Sequence, residues 1–144
     1  MTKEELLRRQ ADHYLPCFAN ECECRETCLH WLAGKYLSKP SLVIDSVNPM
    51  HPDVKAGRCT LYRQNQKGMY AVGMTHFFDE MPHSKVRIIR MRLLELFTRK
   101  RFYEFRNGER PIAPEQQLQI AEVCREEGWN CELVFDKMEE DYLW

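Results

Sequence analysis

Residues 17–28 read CFANECECRETC and hold four of the seven cysteines in this chain of 144 residues. A segment so rich in thiols and acids cannot bury itself as a hydrophobic element. Thiols this close together indicate a bound metal ion, because thiolates gain far more from a soft cation than from solvent. The four cysteines are Cys17, Cys22, Cys24 and Cys28. A fifth candidate ligand, Cys59, lies further along the chain.

Two sets of four thiolate ligands are open from the spacing alone. The first joins Cys17, Cys22 and Cys28 to Cys59, which would enter from a distant part of the chain and give the metal a role in folding. The second, entirely local set uses Cys24 in place of Cys59. We expect the first set, because the single residue between Cys22 and Cys24 is shorter than the usual ligand spacing of about two to four residues.

The expected cofactor is tetrahedral Zn²⁺, and four thiolates leave no open coordination position for water catalysis. An iron–sulfur cluster has the same ligand requirement and is the alternative. His13 and His30 flank the cysteine segment, and either could replace one thiolate. Cys24 is then a spare thiol, while Cys124 and Cys131 are expected to be small packed side chains.

Composition and charge narrow the class of protein. The 44% hydrophobic residues are ordinary for a folded chain, and a net charge of -1 argues against a polyelectrolyte that binds through its whole surface. Because the opening MTKEELLRRQ has charges where a signal peptide needs an apolar core, we expect no secretion, and no apolar run approaches the length of a membrane helix. We therefore expect a cytoplasmic protein without a membrane contact, in a compartment where thiols stay reduced.

The pattern predicts one α+β domain over residues 1–144, with about five helices, two short β-hairpins and an N-terminal cysteine metal knuckle. Residues 17–59 form the knuckle and its connection, and residues 85–110 form a basic helix-hairpin segment. Helices are expected over the ranges 2–14, 26–37, 83–100, 114–128 and 131–144.

Two hairpins and one isolated strand complete the expected elements. One hairpin joins strands 59–63 and 69–77 through the polar QNQKG, and the other places Asn107-Gly108 between short extended runs. A short strand is expected at 42–44, within a proline-rich surface connection that continues to Arg58.

Basic residues are concentrated between Lys85 and Arg110, where nine bases face three acids and leave a local charge of +6. The bases at 85, 92 and 99 recur every seven residues, and neighbouring aromatic rings could stack on nucleobases. The expected contacts with nucleic acid or a protein partner are Lys85, Arg92, Arg99, Lys100, Arg101, Tyr103 and Arg106. Alternatively, acids such as Glu126 and Glu127 pair with this face.

The chain contains none of the usual catalytic signatures: no Gly-rich phosphate loop, no GxSxG and no HExxH. We expect no catalytic residues. The favoured function is a non-enzymatic, metal-stabilised binding or regulatory protein that contacts nucleic acid through its basic segment. The alternatives are a protein-interaction adaptor that docks through its aromatic C-terminal tail, and a redox-responsive iron–sulfur or thiol protein.

Several segments together resemble an uncharacterised family, a domain of unknown function found in small cysteine-motif proteins of anaerobic gut bacteria. The segments are LPCFANEC, TCLHWLA, VNPMHP, RCTLYR, FYEFRNGERPIAPEQQ and FDKMEEDYLW. The resemblance implies a shared fold and a shared ligand set, in which the recurring cysteines match Cys17, Cys22, Cys28 and Cys59. Cys24 is a local addition, and Glu23 stands where the pattern has proline. The resemblance implies no activity.

Overall fold

Five α-helices, one 3₁₀ helix and one two-stranded antiparallel sheet form the regular structure in a computed structural model that describes residues 1–54 and 58–144. These elements confirm the α+β class. The chain makes two compact units: an N-terminal unit of residues 1–67 and 142–144, and a C-terminal unit of residues 68–141. The assignment of residues 1–144 to one domain stays a prediction.

Helix α1 runs from Lys3 to Ala11 and begins as the sequence predicts. The amide of Glu5 donates to the hydroxyl of Thr2 at 3.2 Å, and the amide of Thr2 donates to the Glu5 carboxylate at 2.6 Å. This reciprocal capping satisfies two amides that would otherwise lack partners at the helix start. The helix buries Leu6 and Leu7.

The second helix expected over 26–37 is divided in two. A 3₁₀ turn covers Arg25–Thr27, and helix α2 covers Leu29–Lys35. Cys28 separates them because its backbone is extended, with φ −98° and ψ 122°, and forms an antiparallel bridge with Gln64. A residue that pairs with a neighbouring segment in this way cannot continue a helix.

The N-terminal unit has a small apolar core. Five buried residues from α1, α2 and the end of the chain form its cluster: Leu6, Leu7, Leu29, Leu32 and Tyr142. The C-terminal residues hold their place through two hydrogen bonds, from Leu143 N to Gln66 O at 2.8 Å and from Arg63 Nε to Leu143 O at 2.9 Å. Tyr142 in this tail is 2% exposed, and the adaptor alternative stays a prediction.

The sheet differs from the predicted hairpins. Strand β1 (Lys67–Val72) pairs with strand β2 (Lys137–Tyr142), which lies in the tail predicted to be helical. Residues 59–63 form turns and irregular structure, so the first predicted hairpin is wrong. The tail is a strand because its backbone groups pair with a distant strand, and such pairing overrides weak local helix preference.

The connection that runs from the end of α2 to Cys59 is irregular in all of its described residues. The predicted strand at 42–44 is wrong, since these residues form a bend, with Leu42 and Val43 exposed to solvent. Residues 55–57, which the sequence assigns to the same surface connection, lie outside the described residues.

Three helices supply most of the core of the C-terminal unit. They are α3 (His83–Phe97), α4 (Arg99–Arg106) and α5 (Pro114–Glu126). The predicted stripe of α3 is confirmed at Ile89, Leu93 and Phe97, which are buried. Helix α5 also begins as predicted, because the Gln116 side chain accepts a hydrogen bond from the amide of Ala113 at 2.9 Å.

The predicted hairpin around Asn107-Gly108 is wrong. Residues before it form α4, and Asn107 is the C-terminal cap of that helix. Gly108, with φ 76°, adopts the left-handed conformation that commonly ends a helix. The helix wins over an extended run because Phe102 and Phe105 then both face the core, where they are 1% and 0% exposed.

Thr98 lies between α3 and α4 with φ 72° and ψ 156°, a conformation that essentially only glycine adopts without strain. Its side chain makes no capping hydrogen bond.

We predict that Thr98→Gly raises the free energy of unfolding by about 1 kcal/mol, because the strain released exceeds the entropy lost by glycine. Urea denaturation measures the change. Thr98→Ala is the matched control and should give no such gain; equal stabilisation by both variants would contradict backbone strain.

Candidate functional site

Five cysteines line a pocket of about 790 Å³ in the N-terminal unit. They come from the loop after α1, the turn before α2, and the segment that follows residues 55–57. All seven cysteines of the chain are free thiols. The pocket therefore brings together Cys17, Cys22, Cys24, Cys28 and Cys59.

Backbone hydrogen bonds tie these separate segments together. The amide of Cys17 donates to the carbonyl of His30 at 2.8 Å, which fixes the first cysteine against α2. The amide of Leu29 donates to Arg63 O at 2.7 Å, and the amide of Asn65 donates to Thr27 O at 2.9 Å. Because Cys28 lies between Thr27 and Leu29, these bonds bring the chain that follows Cys59 alongside it.

The electrostatics of Cys17 reflect the other thiols. Burial raises the pKa of the Cys17 thiol, and negative charge on Cys28, Cys22 and Cys59 raises it further, against a hydrogen bond from the backbone of Ala19. The three partners that act on Cys17 are the other members of the first predicted ligand set.

The coordination geometry itself is not formed. Across residues 1–54 and 58–144, no three or more His, Cys, Asp or Glu side chains are arranged closely enough to hold a metal ion as they stand. The donor set nevertheless fits such an ion in its chemistry, since it consists of free, partly buried sulfur atoms, the donors that zinc and iron–sulfur clusters take. Coordination would require the four thiols to converge further.

Neither histidine beside the cysteines has the position of a ligand. His30 lines the pocket, but its Nδ1 lies 2.7 Å from Leu15 O and its Nε2 lies 3.5 Å from the hydroxyl of Tyr14. Its ring also stacks on Tyr14, at 4.6 Å between ring centres. His13 is exposed and is not part of the pocket wall.

Besides the cysteines and a few polar residues, the pocket has an apolar and aromatic part of its wall, which sequence reasoning did not find. Its members lie in loops and on one face of α2, at spacings that follow no helical or strand period. Val47 is held there by a hydrogen bond from its amide to Pro16 O at 2.9 Å. The larger side chains in this part of the wall are Phe18, Trp31, Met50, Leu61 and Tyr62.

The basic segment is placed on two helices of the C-terminal unit. Because α3 ends at Phe97, Arg99 belongs to α4 and does not continue the predicted face of Lys85 and Arg92. Arg92 is held by two ion pairs, at 2.5 Å to Glu126 and 2.9 Å to Glu127, as the alternative interpretation expects.

The other predicted contacts are more open. Arg99, Lys100 and Arg101 are exposed at the start of α4, and the Arg99 guanidinium lies 5.7 Å from the centre of the Tyr103 ring. Arg106 donates a hydrogen bond to the side chain of its neighbour Asn107 at 3.3 Å. Lys85, on α3, is half-buried beside Gly128.

The fold and the pocket define a small α+β protein with a cysteine-lined cavity. The sequence model of a family of unknown function, DUF6078, matches residues 1–144, and the chain belongs to that family. No curated protein and no solved structure matches the chain. Among the described residues, no helix is long and apolar enough to cross a membrane.

Gly34 allows the Cys17 loop to approach α2. A Cβ atom at residue 34 would lie 2.6 Å from the carbonyl oxygen of Cys17 and 3.2 Å from the Phe18 ring.

We predict that Gly34→Ala destabilises the protein by about 1–3 kcal/mol, because the backbone of the loop must move away from the helix. Thermal and urea unfolding measure the loss. Helix propensity alone predicts a gain for this substitution, so increased stability would contradict the close approach.

Proposed function

We propose that this protein is a non-enzymatic binding protein whose N-terminal unit is stabilised by one Zn²⁺ ion. The ligands would be Cys17, Cys22, Cys28 and Cys59. The observation that carries the proposal is that these four free thiols, from separate segments, line one pocket.

The shortage of apolar core in the N-terminal unit supports a metal cross-link. Among the described residues, the buried cluster of that unit has five members, whereas the cluster of the C-terminal unit has thirteen. Units of about 70 residues with so little to bury commonly depend on disulfides or a metal. Because the cysteines are free thiols and form no disulfides, we infer that a metal stabilises this unit.

Zinc, when bound, supplies a tetrahedral cross-link without redox chemistry. The four thiols would connect the loop after α1, the turn before α2 and the segment that contains Cys59. The last of these is otherwise joined to the rest of the unit mainly by backbone hydrogen bonds near Arg63 and Asn65. Metal binding would therefore contribute directly to folding.

We predict that protein purified without oxygen is colourless and contains one zinc ion per chain, as measured by elemental analysis. Cys28→Ser should remove the zinc and much of the cooperative unfolding transition, because a buried ligand is lost. The matched control is Cys24→Ser, which changes a thiol in the same pocket and should retain both.

Equal loss of metal from the two variants would contradict the ligand set. Brown protein with visible absorbance and stoichiometric iron would replace zinc by the iron–sulfur alternative. A folded wild-type protein without zinc or iron would contradict the metal proposal as a whole.

A second candidate function, contact with nucleic acid, is favoured by the start of α4. Arg99, Lys100 and Arg101 are exposed and make no ion pair in the described parts of the chain, and Tyr103 beside them is 38% exposed. Three exposed cations beside an exposed ring match the combination of phosphate contact and base stacking used with single strands. We call these four residues the α4 basic surface.

We predict that single-stranded RNA binds the protein with an affinity that falls steeply as salt is added, because cations at this surface would displace counterions from phosphates. Fluorescence anisotropy measures the affinity. Arg99→Glu with Lys100→Glu should weaken binding by about tenfold or more at low salt. The control, Lys3→Glu with Lys39→Glu, makes the same change in net charge in the N-terminal unit and should have little effect. Equal weakening by both pairs would contradict a specific surface.

A further inference from the structure

The cysteine pocket is larger than a metal site requires. With the thiols as they stand, its volume is about 790 Å³, within the range of roughly 300–1,000 Å³ found for small-molecule sites. Convergence of the four thiols on one ion would use only part of this volume. The described residues that line the pocket all belong to the N-terminal unit.

Large apolar side chains remain exposed around this pocket. The exposed fractions are 45% for Phe18, 86% for Met50, 43% for Leu61 and 41% for Tyr62. In a unit whose own core is small, side chains of this size would stabilise the fold if they were buried. Their convergence on one cavity is typical of a surface that an apolar ligand covers.

Several polar groups in the aromatic part of the wall already have hydrogen-bond partners. The indole N–H of Trp31 donates to Asn20 Oδ1 at 3.0 Å, and the hydroxyls of Tyr62 and Thr27 are hydrogen-bonded at 2.9 Å. The imidazole Nδ1 of His30 lies 2.7 Å from a backbone carbonyl. Ring faces and aliphatic carbon are therefore what this part of the wall offers, which favours a ligand of low polarity.

Charge narrows the ligand class further. A divalent cation with four thiolates has a net negative charge, which repels an anionic ligand placed beside it in a partly desolvated pocket. Among the lining residues in the described parts of the chain, Glu21 adds another acid, and Arg25 is a base with one guanidinium N–H bonded to the Cys22 carbonyl at 3.2 Å.

We propose that the pocket binds an uncharged, planar aromatic small molecule against the rings of Trp31 and Tyr62. The exclusion of anions rests on the proposed zinc site, whereas the aromatic wall does not. The binding function of the protein would then be recognition of a small apolar ligand by the N-terminal unit, next to the metal that stabilises it.

The test is a fluorescence titration of the whole purified protein with Nile red, a neutral planar dye, and with the anionic dye 1-anilinonaphthalene-8-sulfonate. We expect saturable binding of one Nile red per chain, and binding of the anion weaker by about tenfold or more. Leu61→Glu, which places a charge in the apolar wall, should weaken Nile red binding by about tenfold or more. Leu42→Glu is the matched control, because Leu42 is fully exposed in the same unit and lies outside the wall; it should bind as the wild type does.

A second wall variant, Met50→Glu, makes the same test at a side chain that is 86% exposed and whose replacement leaves the core intact. Zinc content, measured on every sample, separates the two proposals. Zinc-loaded wild-type protein without saturable Nile red binding would overturn the ligand site while leaving the metal site standing. Folded protein that binds Nile red but contains no zinc would support the ligand site and contradict the metal site. Unchanged binding in both wall variants would place the dye elsewhere and overturn the proposal.

Discussion

The N-terminal unit has to hold long irregular segments around a small apolar core. Helices α1 and α2 bury only a few leucines against Tyr142. Between the end of α2 and Gln64, the described residues form bends, turns and loops. Hydrophobic burial on this scale stabilises a fold weakly, because the entropy of ordering each loop residue opposes it. A cross-link between the loops is the most economical way to meet this constraint.

The C-terminal unit meets the same requirement with ordinary packing. Its helices bury Phe102, Phe105 and Ile120 in a described core of thirteen residues, and Arg92 joins α3 to the two acids at the C-terminal end of α5. Nothing in this unit needs a metal for its architecture. Five of the seven cysteines lie in the N-terminal unit and line one cavity, where the proposed metal would supply the cross-link.

The sequence predicted the structure well where the conformation depends on residues close together in the chain. The capping pair of Thr2 and Glu5, the apolar stripe of α3, and the Pro114 start of α5 depend on interactions within one or two helical turns. The tail became a strand because β1, far away in the sequence, supplies its hydrogen-bond partners. Burial of two phenylalanines decided α4 in the same way, and no local pattern reports such long-range partners.

The candidate site was likewise predictable from the sequence only in part. Cysteine spacing singled out Cys17, Cys22, Cys28 and Cys59, because thiols are rare and their chemistry limits what they do together. The aromatic wall depends on loop conformation, which brings Trp31 and Tyr62 to the same cavity without any period in the sequence.

The most direct measurement of the central claim is X-ray absorption at the zinc edge of the purified protein. We predict four sulfur neighbours at about 2.3 Å from zinc. Zinc surrounded by nitrogen or oxygen atoms, or by fewer sulfurs, would contradict the tetrathiolate cross-link.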